Sequence, residues 1–353
     1  NFLILLSIFI ISFSDILNFK LPIFLIFFAP NFCRYFFVSL LEDKHLQNQI
    51  DGQELSVLTT KGITHDHWKV GNSSYLLRIP KMSQWDMKPS KQLVYESTAF
   101  QRASKSGHCP KLIATIPICE KLTRGALLVE FINGRPPRLP DDLSAISDAF
   151  SAIHKLPLPA PNKRKPLQHH IKPIAEMLKV IEEQSTFLSK AKLSKRASKE
   201  IQEELIWAEN LKNQGEPEIP LCLVGTDTHP GNFLIDIKGK AWFVDLEKAL
   251  YGIPHIDLAH ATLAVSTGWD PDCATKITTE HVSNFYRHYN MKMHHLKPKE
   301  FFSWAINFRR LTWLRTMTWF ARYRVAWQNN KHPAVRNKGM TKHVTNHITH
   351  SFH

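Results

Sequence analysis

Three oxygen-bearing side chains stand out by type and spacing. Asp227 is followed five residues later by Asn232, in Val224-Gly225-Thr226-Asp227-Thr228-His229-Pro230-Gly231-Asn232. Asp245 follows inside the apolar run Trp242-Phe243-Val244-Asp245-Leu246-Glu247. Moving a phosphoryl group from a nucleotide to a hydroxyl needs such a set. One carboxylate orients the acceptor hydroxyl and takes its proton; an amide and a second carboxylate hold magnesium on the phosphates. Each residue also has a plainer reading. Asp227 could cap the turn before Pro230-Gly231, and Asn232 could be a turn residue. The run before Asp245 reads as a buried strand, where a charge is costly unless paired or metal-bound. Glu247 could add a further metal contact, His229 could orient the loop, and Asp257 ties the loop to the helix that follows.

The elements that must position these groups divide at residue 134. From residue 55 to 133 the chain is rich in strands: Trp68 to Val70 and Ser74 to Ile79 around a turn at Gly71-Asn72, then Leu112 to Pro117 and Ala126 to Ile132. One helix, Lys91 to Ser104, lies between them and ends at Gly107 and Pro110. From 134 to 328 the pattern is helical, with Leu143 to His154, Ile174 to Gln184, Lys195 to Lys212 and a Trp- and Arg-rich stretch from Phe301 to Trp327. A hairpin is expected around Ile237-Lys238-Gly239-Lys240. The stretch 329–353 is basic and reads as a disordered tail; His343, His347 and His350 would share a face if it were helical.

Composition sets outer limits. The chain has 353 residues, a formal charge of +14 and five cysteines without a C-x-x-C pair. That cysteine usage points away from a zinc site or disulfide framework and toward a reducing, cytoplasmic setting. No basic stripe interleaved with aromatics marks a nucleic-acid partner. Residues 1–54 differ from the rest, with Phe, Ile and Leu dominating the first forty. Asp15, Lys20, Pro22 and Pro30 interrupt that run, so membrane anchor, signal peptide and non-native extension all stay open as readings.

Asp227 to Leu234, Trp242 to Glu247 and Tyr251-Gly252-Ile253-Pro254-His255-Ile256-Asp257-Leu258-Ala259 together resemble the aminoglycoside phosphotransferase and choline kinase-like family. Its signature runs H-G-D-x-H-x-x-N, then I-D-[FW]-E, then a D-L-A segment. The resemblance spans roughly residues 55–325 and the Asp-to-Asn spacing equals that of kinase catalytic loops. It implies an α+β, two-lobed protein-kinase-like fold with ATP between a small strand-rich lobe and a larger helical lobe. By that resemblance Asp227 is the catalytic base, and Asn232 and Asp245 hold Mg2+. Arg78 stands where a kinase strand lysine meets the phosphates, with Lys81 as a competitor beyond the strand-ending Pro80. Glu96 would pair with Arg78. Glu130 to Ile132 would form the hinge that reads adenine through backbone groups, and Gly62 to Trp68 the turn over the phosphates. His154 is structural.

Two features depart from the pattern. Gly225 stands where the family has histidine, and no G-x-G-x-x-G occurs in the small lobe. The expected activity is ATP- and magnesium-dependent phosphoryl transfer to a small-molecule hydroxyl. The alternative, favoured by those departures, is a weakly active or inactive nucleotide-binding regulatory protein. The net charge points to a neutral or anionic acceptor.

Overall fold

The computed structural model describes residues 53–58, 64–328 and 338–352, together with Lys44, Gln47 and Ile50. The hydrophobic run of the first forty residues and the Gly62-Ile63 start of the expected phosphate turn lie outside the described residues.

The strand-rich lobe is one antiparallel sheet. Its strands are β1 (Leu55–Val57), β2 (His65–Val70), β3 (Tyr75–Pro80), β4 (Leu112–Ile116) and β5 (Ala126–Glu130), in the order β1-β2-β3-β5-β4. Side-chain alternation sorts each strand between two cores. Ala126 and Leu128 join Leu77 and Val70 in an outer cluster, while Leu127 and Val129 face the helix and the main core. The same alternation puts Leu77 in the outer cluster and turns Arg78 to the opposite face.

Helix α1 (Pro89–Ala103) starts on a proline, whose fixed φ suits a first turn. It ends through a short turn at Gly107, in the left-handed region at φ 72°. Its buried face carries Leu93, Ala99, Phe100 and Ala103, with Glu96 among them.

The second lobe is helical. It contains α2 (Leu143–His154), α3 (Pro173–Ser185), α4 (Lys195–Leu211), α5 (His255–Thr262), α6 (Ala264–Thr267), α7 (Thr279–Lys292) and α8 (Pro298–Gln328). Two small sheets interrupt it. β6 (Gly134–Arg135), β8 (Phe233–Asp236) and β9 (Ala241–Phe243) form one; β7 (Cys222–Val224) and β10 (Leu250–Gly252) form the other. β6 follows the inter-lobe connection directly, so that connection is stitched onto the hairpin that leads from Asn232 to Asp245.

The tail differs from its expected disorder. Helix α9 (Lys338–Ser351) packs on the lobe, with Val344, Ile348 and Phe352 fully or almost fully buried. Their spacing of four residues gives one apolar stripe. His343 and His347 do share a face, and their Nε2 atoms bond the carbonyls of Trp269 and Val265, at 2.9 and 2.8 Å. Among the described residues no helix is long and apolar enough to cross a membrane.

Candidate active site

The loop carrying Asp227 follows β7. A Cβ on Gly225 would fall 2.6 Å from two ring carbons of Phe243 and 2.8 Å from Thr228 Cγ2, so no side chain fits there. Thr226 adopts φ 59°, a left-handed conformation that a β-branched residue takes only under strain. Four contacts hold it. The amides of Gly225 and Thr226 donate to Asp257 at 2.7 and 2.8 Å. Thr226 Oγ1 donates to the carbonyl of Lys248 at 3.0 Å, and Arg315 Nη2 donates to the carbonyl of Thr226 at 2.8 Å.

Asp257 is fixed in turn by His154 Nε2 at 3.1 Å, and His154 also bonds the Tyr289 hydroxyl at 2.9 Å. Thr228 N donates to His260 Nδ1 at 3.0 Å. Burial pushes His260 down to about 3, so its ring is neutral and can accept that bond.

Asp227 accepts from Lys248 Nζ at 2.7 Å. Burial pushes its carboxyl upward, but the charge and hydrogen bond of Lys248 together with the neighbouring His229 and His260 outweigh that and hold it far below the usual carboxylate range. Asn232 Nδ2 donates to the carbonyl of Asp227 at 2.7 Å, which leaves the amide oxygen of Asn232 as an acceptor. The amide of Val244 donates to the carbonyl of Asn232 at 3.0 Å and brings Asp245 alongside.

Arg78 reaches across from β3. Its Nη2 donates to Asp245 Oδ1 at 2.5 Å and lies 3.2 Å from His65 Nδ1. Its Nη1 lies 3.2 Å from His67 Nε2; burial, then Arg78 itself, pushes His67 down to about 3, so that ring accepts. Glu96 approaches Arg78 Nε only at 4.0 Å. Its short contacts are His65 Nε2 at 2.9 Å and Gln92 Nε2 at 2.7 Å. The expected Arg78–Glu96 pair is therefore a triad with His65 in the middle.

Glu247 accepts from Gln84 at 2.5 Å. Burial and then the charge of Asp245 raise its carboxyl to about 7. Ligand atoms of His65, Glu96 and Glu247 fall within 4.8 Å of one another. With the guanidinium of Arg78 against them and both glutamates hydrogen-bonded to glutamines, they form a buried ion-pair network and not a metal cage.

A cleft of about 910 Å³ lies between the lobes. Arg78, Glu130, Ile132, Asp227, Asn232 and Asp245 line it, whereas Glu96 stands behind Arg78 and does not. Lys81 pairs with Asp66 at 3.0 Å and lies outside the lining. His65 to Val70 are strand, so the last four residues of the expected phosphate turn belong to β2. At the hinge, the amides of Glu130 and Phe131 donate to Lys111 and Ser74 at 2.9 and 2.8 Å. The cleft is acidic although the chain is basic: its charged lining comprises nine Asp or Glu and four Arg or Lys.

The profile of the phosphotransferase enzyme family matches residues 59–280. The chain belongs to this family. Its two-lobed, kinase-like fold is similar to Plasmodium vivax ethanolamine kinase, with a TM-score of 0.61 and 15% identity over 95% of this chain and 91% of that one. Choline kinase from Cryptosporidium parvum Iowa II gives 0.59 and 14% over 91% and 94%. The spectinomycin phosphotransferase APH(9)-Ia, solved with ADP and spectinomycin, gives 0.55 and 11% over 88% and 97%. No curated protein matches in sequence.

Three site residues of this phosphotransferase were not singled out in the sequence: His65, which falls within the expected phosphate turn, Lys248 and Arg315. Lys248 stands three residues after Asp245, and that proximity was its one available hint. The donor set also fits a magnesium ion. Asn232 Oδ1 is a neutral oxygen, and Asp245 Oδ2 is a carboxylate oxygen that bonds nothing among the described residues; both are hard ligands.

Proposed function

We propose that this phosphotransferase moves the γ-phosphoryl group of ATP, with magnesium, to a hydroxyl of a small, positively charged acceptor. The observation that carries the reading is the convergence of Asp227, Asn232, Asp245 and Arg78 on one inter-lobe cleft. Magnesium, when bound by Asn232 and Asp245, supplies charge neutralisation on the phosphates. Arg78 binds phosphate oxygens. Asp227 orients the acceptor hydroxyl and takes its proton late, since a carboxylate held so far down is a weak base. The hinge from Glu130 to Ile132 meets the adenine. With the Glu130 and Phe131 amides engaged by the small lobe, the Ile132 amide is the donor left for it, bonding nothing among the described residues.

The charge of the acceptor follows from the cleft wall and not from the whole chain. On the helical side Glu176, Glu183, Asp270 and Asp272 line the cleft beside Trp269 and Trp319. Acidic groups beside aromatic faces favour an ammonium-bearing alcohol. This replaces the neutral or anionic acceptor expected from net charge. The structural neighbours named for ethanolamine, choline and spectinomycin are consistent with it.

The test is ATP consumption with and without magnesium against amino alcohols, aminoglycosides, sugars and nucleosides. Asp227→Ala and Asp227→Asn should lower turnover by about 10²–10⁴-fold while nucleotide still binds. Unchanged turnover in both variants would remove Asp227 from the reaction. Nucleotide binding without consumption of ATP by the wild type would point to a regulatory role.

A further inference from the structure

Lys248 is one of the four cations bordering the cleft, and the one that touches the proposed base. Its Nζ lies 2.7 Å from Asp227 Oδ2 and 5.9 Å from the ring centre of Trp319, and its side chain is 18% exposed. An ammonium has three N–H donors. One is used on Asp227, and no other hydrogen bond to Nζ is present among the described residues. Two donors thus remain at the cleft wall beside the carboxylate.

The geometry of transfer sets what those donors can meet. The acceptor oxygen must touch both Asp227 and the γ-phosphorus, so a cation within hydrogen-bond reach of Asp227 is also near the phosphoryl oxygens. The backbone is arranged to keep it there. Thr226, adjacent to Asp227, spends its hydroxyl on the carbonyl of Lys248 and accepts a left-handed backbone in doing so. Arg315 grips the carbonyl of Thr226 from the other side. Strain held at one point by several independent contacts is a mark of functional positioning.

We propose that Lys248 is a catalytic residue whose ammonium contacts the transferring γ-phosphoryl group while it steers Asp227, and that Thr226 is its positioning residue. The inference rests on the phosphoryl transfer proposed above. In that step the acceptor oxygen bonds to the γ-phosphorus and the bond from that phosphorus to the bridging oxygen breaks. The electron pair leaves with ADP and the hydroxyl proton goes to Asp227. Lys248 exchanges no proton; it neutralises charge on the equatorial oxygens as they pass between donor and acceptor.

The test compares the full chain with Lys248→Met and Lys248→Arg, using ADP with magnesium and ADP with magnesium and aluminium fluoride, a mimic of the phosphoryl group in transfer. The methionine keeps the apolar stem against Trp319. Lys248→Met should lose about 10²-fold in affinity for the aluminium fluoride complex, keep its affinity for ADP, and lose turnover in the same proportion with KM for ATP little changed. Lys248→Arg should recover part of both losses. Equal weakening of the two complexes would mean a structural role and would overturn the proposal. So would faster turnover in Lys248→Met, which would make Lys248 a brake on Asp227. Failure of the underlying reaction reads differently: wild-type protein would then show no gain in affinity from ADP to the aluminium fluoride complex, and the inference would fall with it.

Discussion

At the scale of single residues, Gly225 shows how a motif can change without losing its work. The histidine of the family pattern has no room here, because the ring of Phe243 occupies that space and packs 5.1 Å from Phe233. The loop is tied down by Asp257 and Arg315 instead. Gly225→His should therefore damage the protein, with a loss of about 3 kcal/mol in urea unfolding, the upper end for overpacking, and lower turnover. A variant as stable and active as the wild type would mean that Phe243 yields. The residues legible in the sequence were those whose chemistry is local. Asp227, Asn232 and Asp245 fall within one short segment whose resemblance to the family motif put them at one site, and all three line the cleft. His65 meets Glu96 across 31 positions and Arg315 meets Thr226 across 89. Contacts of that separation depend on how a strand and a helix pack within one lobe, which no local pattern encodes.

At the scale of elements, α2 has the bounds read from its apolar periodicity, and α1, α3 and α4 differ from theirs by one or two residues. Their amphipathic faces are the cores they form. The tail was misread because its positive charge masked the stripe of Val344, Ile348 and Phe352 that buries α9. That helix backs the helical side of the cleft: the ring of His347 lies 6.0 Å from Trp269 and 5.9 Å from Phe320. Burial pulls His347 below its ordinary 6.5, against the Val265 carbonyl and together with His343 and His350. A base lowered by folding favours the neutral fold. The anchorage of α9 is then intact above about pH 6.5 and is lost as pH falls through the lower folded value. Amide exchange over residues 338–352 should accelerate on acidification, and His347→Gln should show the smaller change. Equal acceleration in both would remove His347 from the anchor.

At the scale of the whole molecule, charge is divided between a basic exterior and an acidic cleft. Long-range attraction between exposed charges is screened over about 8 Å at physiological ionic strength. The KM for an amino alcohol should therefore rise with added salt, while that for an uncharged alcohol of similar size stays level. Parallel behaviour of the two would argue against an acidic acceptor site. The bridge from Arg78 to Asp245 has a consequence of its own, because it joins the two lobes through the very groups proposed to take phosphate and metal. A phosphate that captures Arg78 by itself leaves the Asp245 carboxylate without its guanidinium, and a cation that captures Asp245 by itself leaves the buried Arg78 only the more distant Glu96, at 4.0 Å, and Glu247 as charged neighbours; a buried charge that loses its ion-pair partner is costly. Arriving together, each ligand compensates the partner that the other displaces. Under the proposed assignment the resting lobes thus enforce thermodynamic reciprocity: nucleotide and divalent cation are each other's effector, coupled through one exchange of ions.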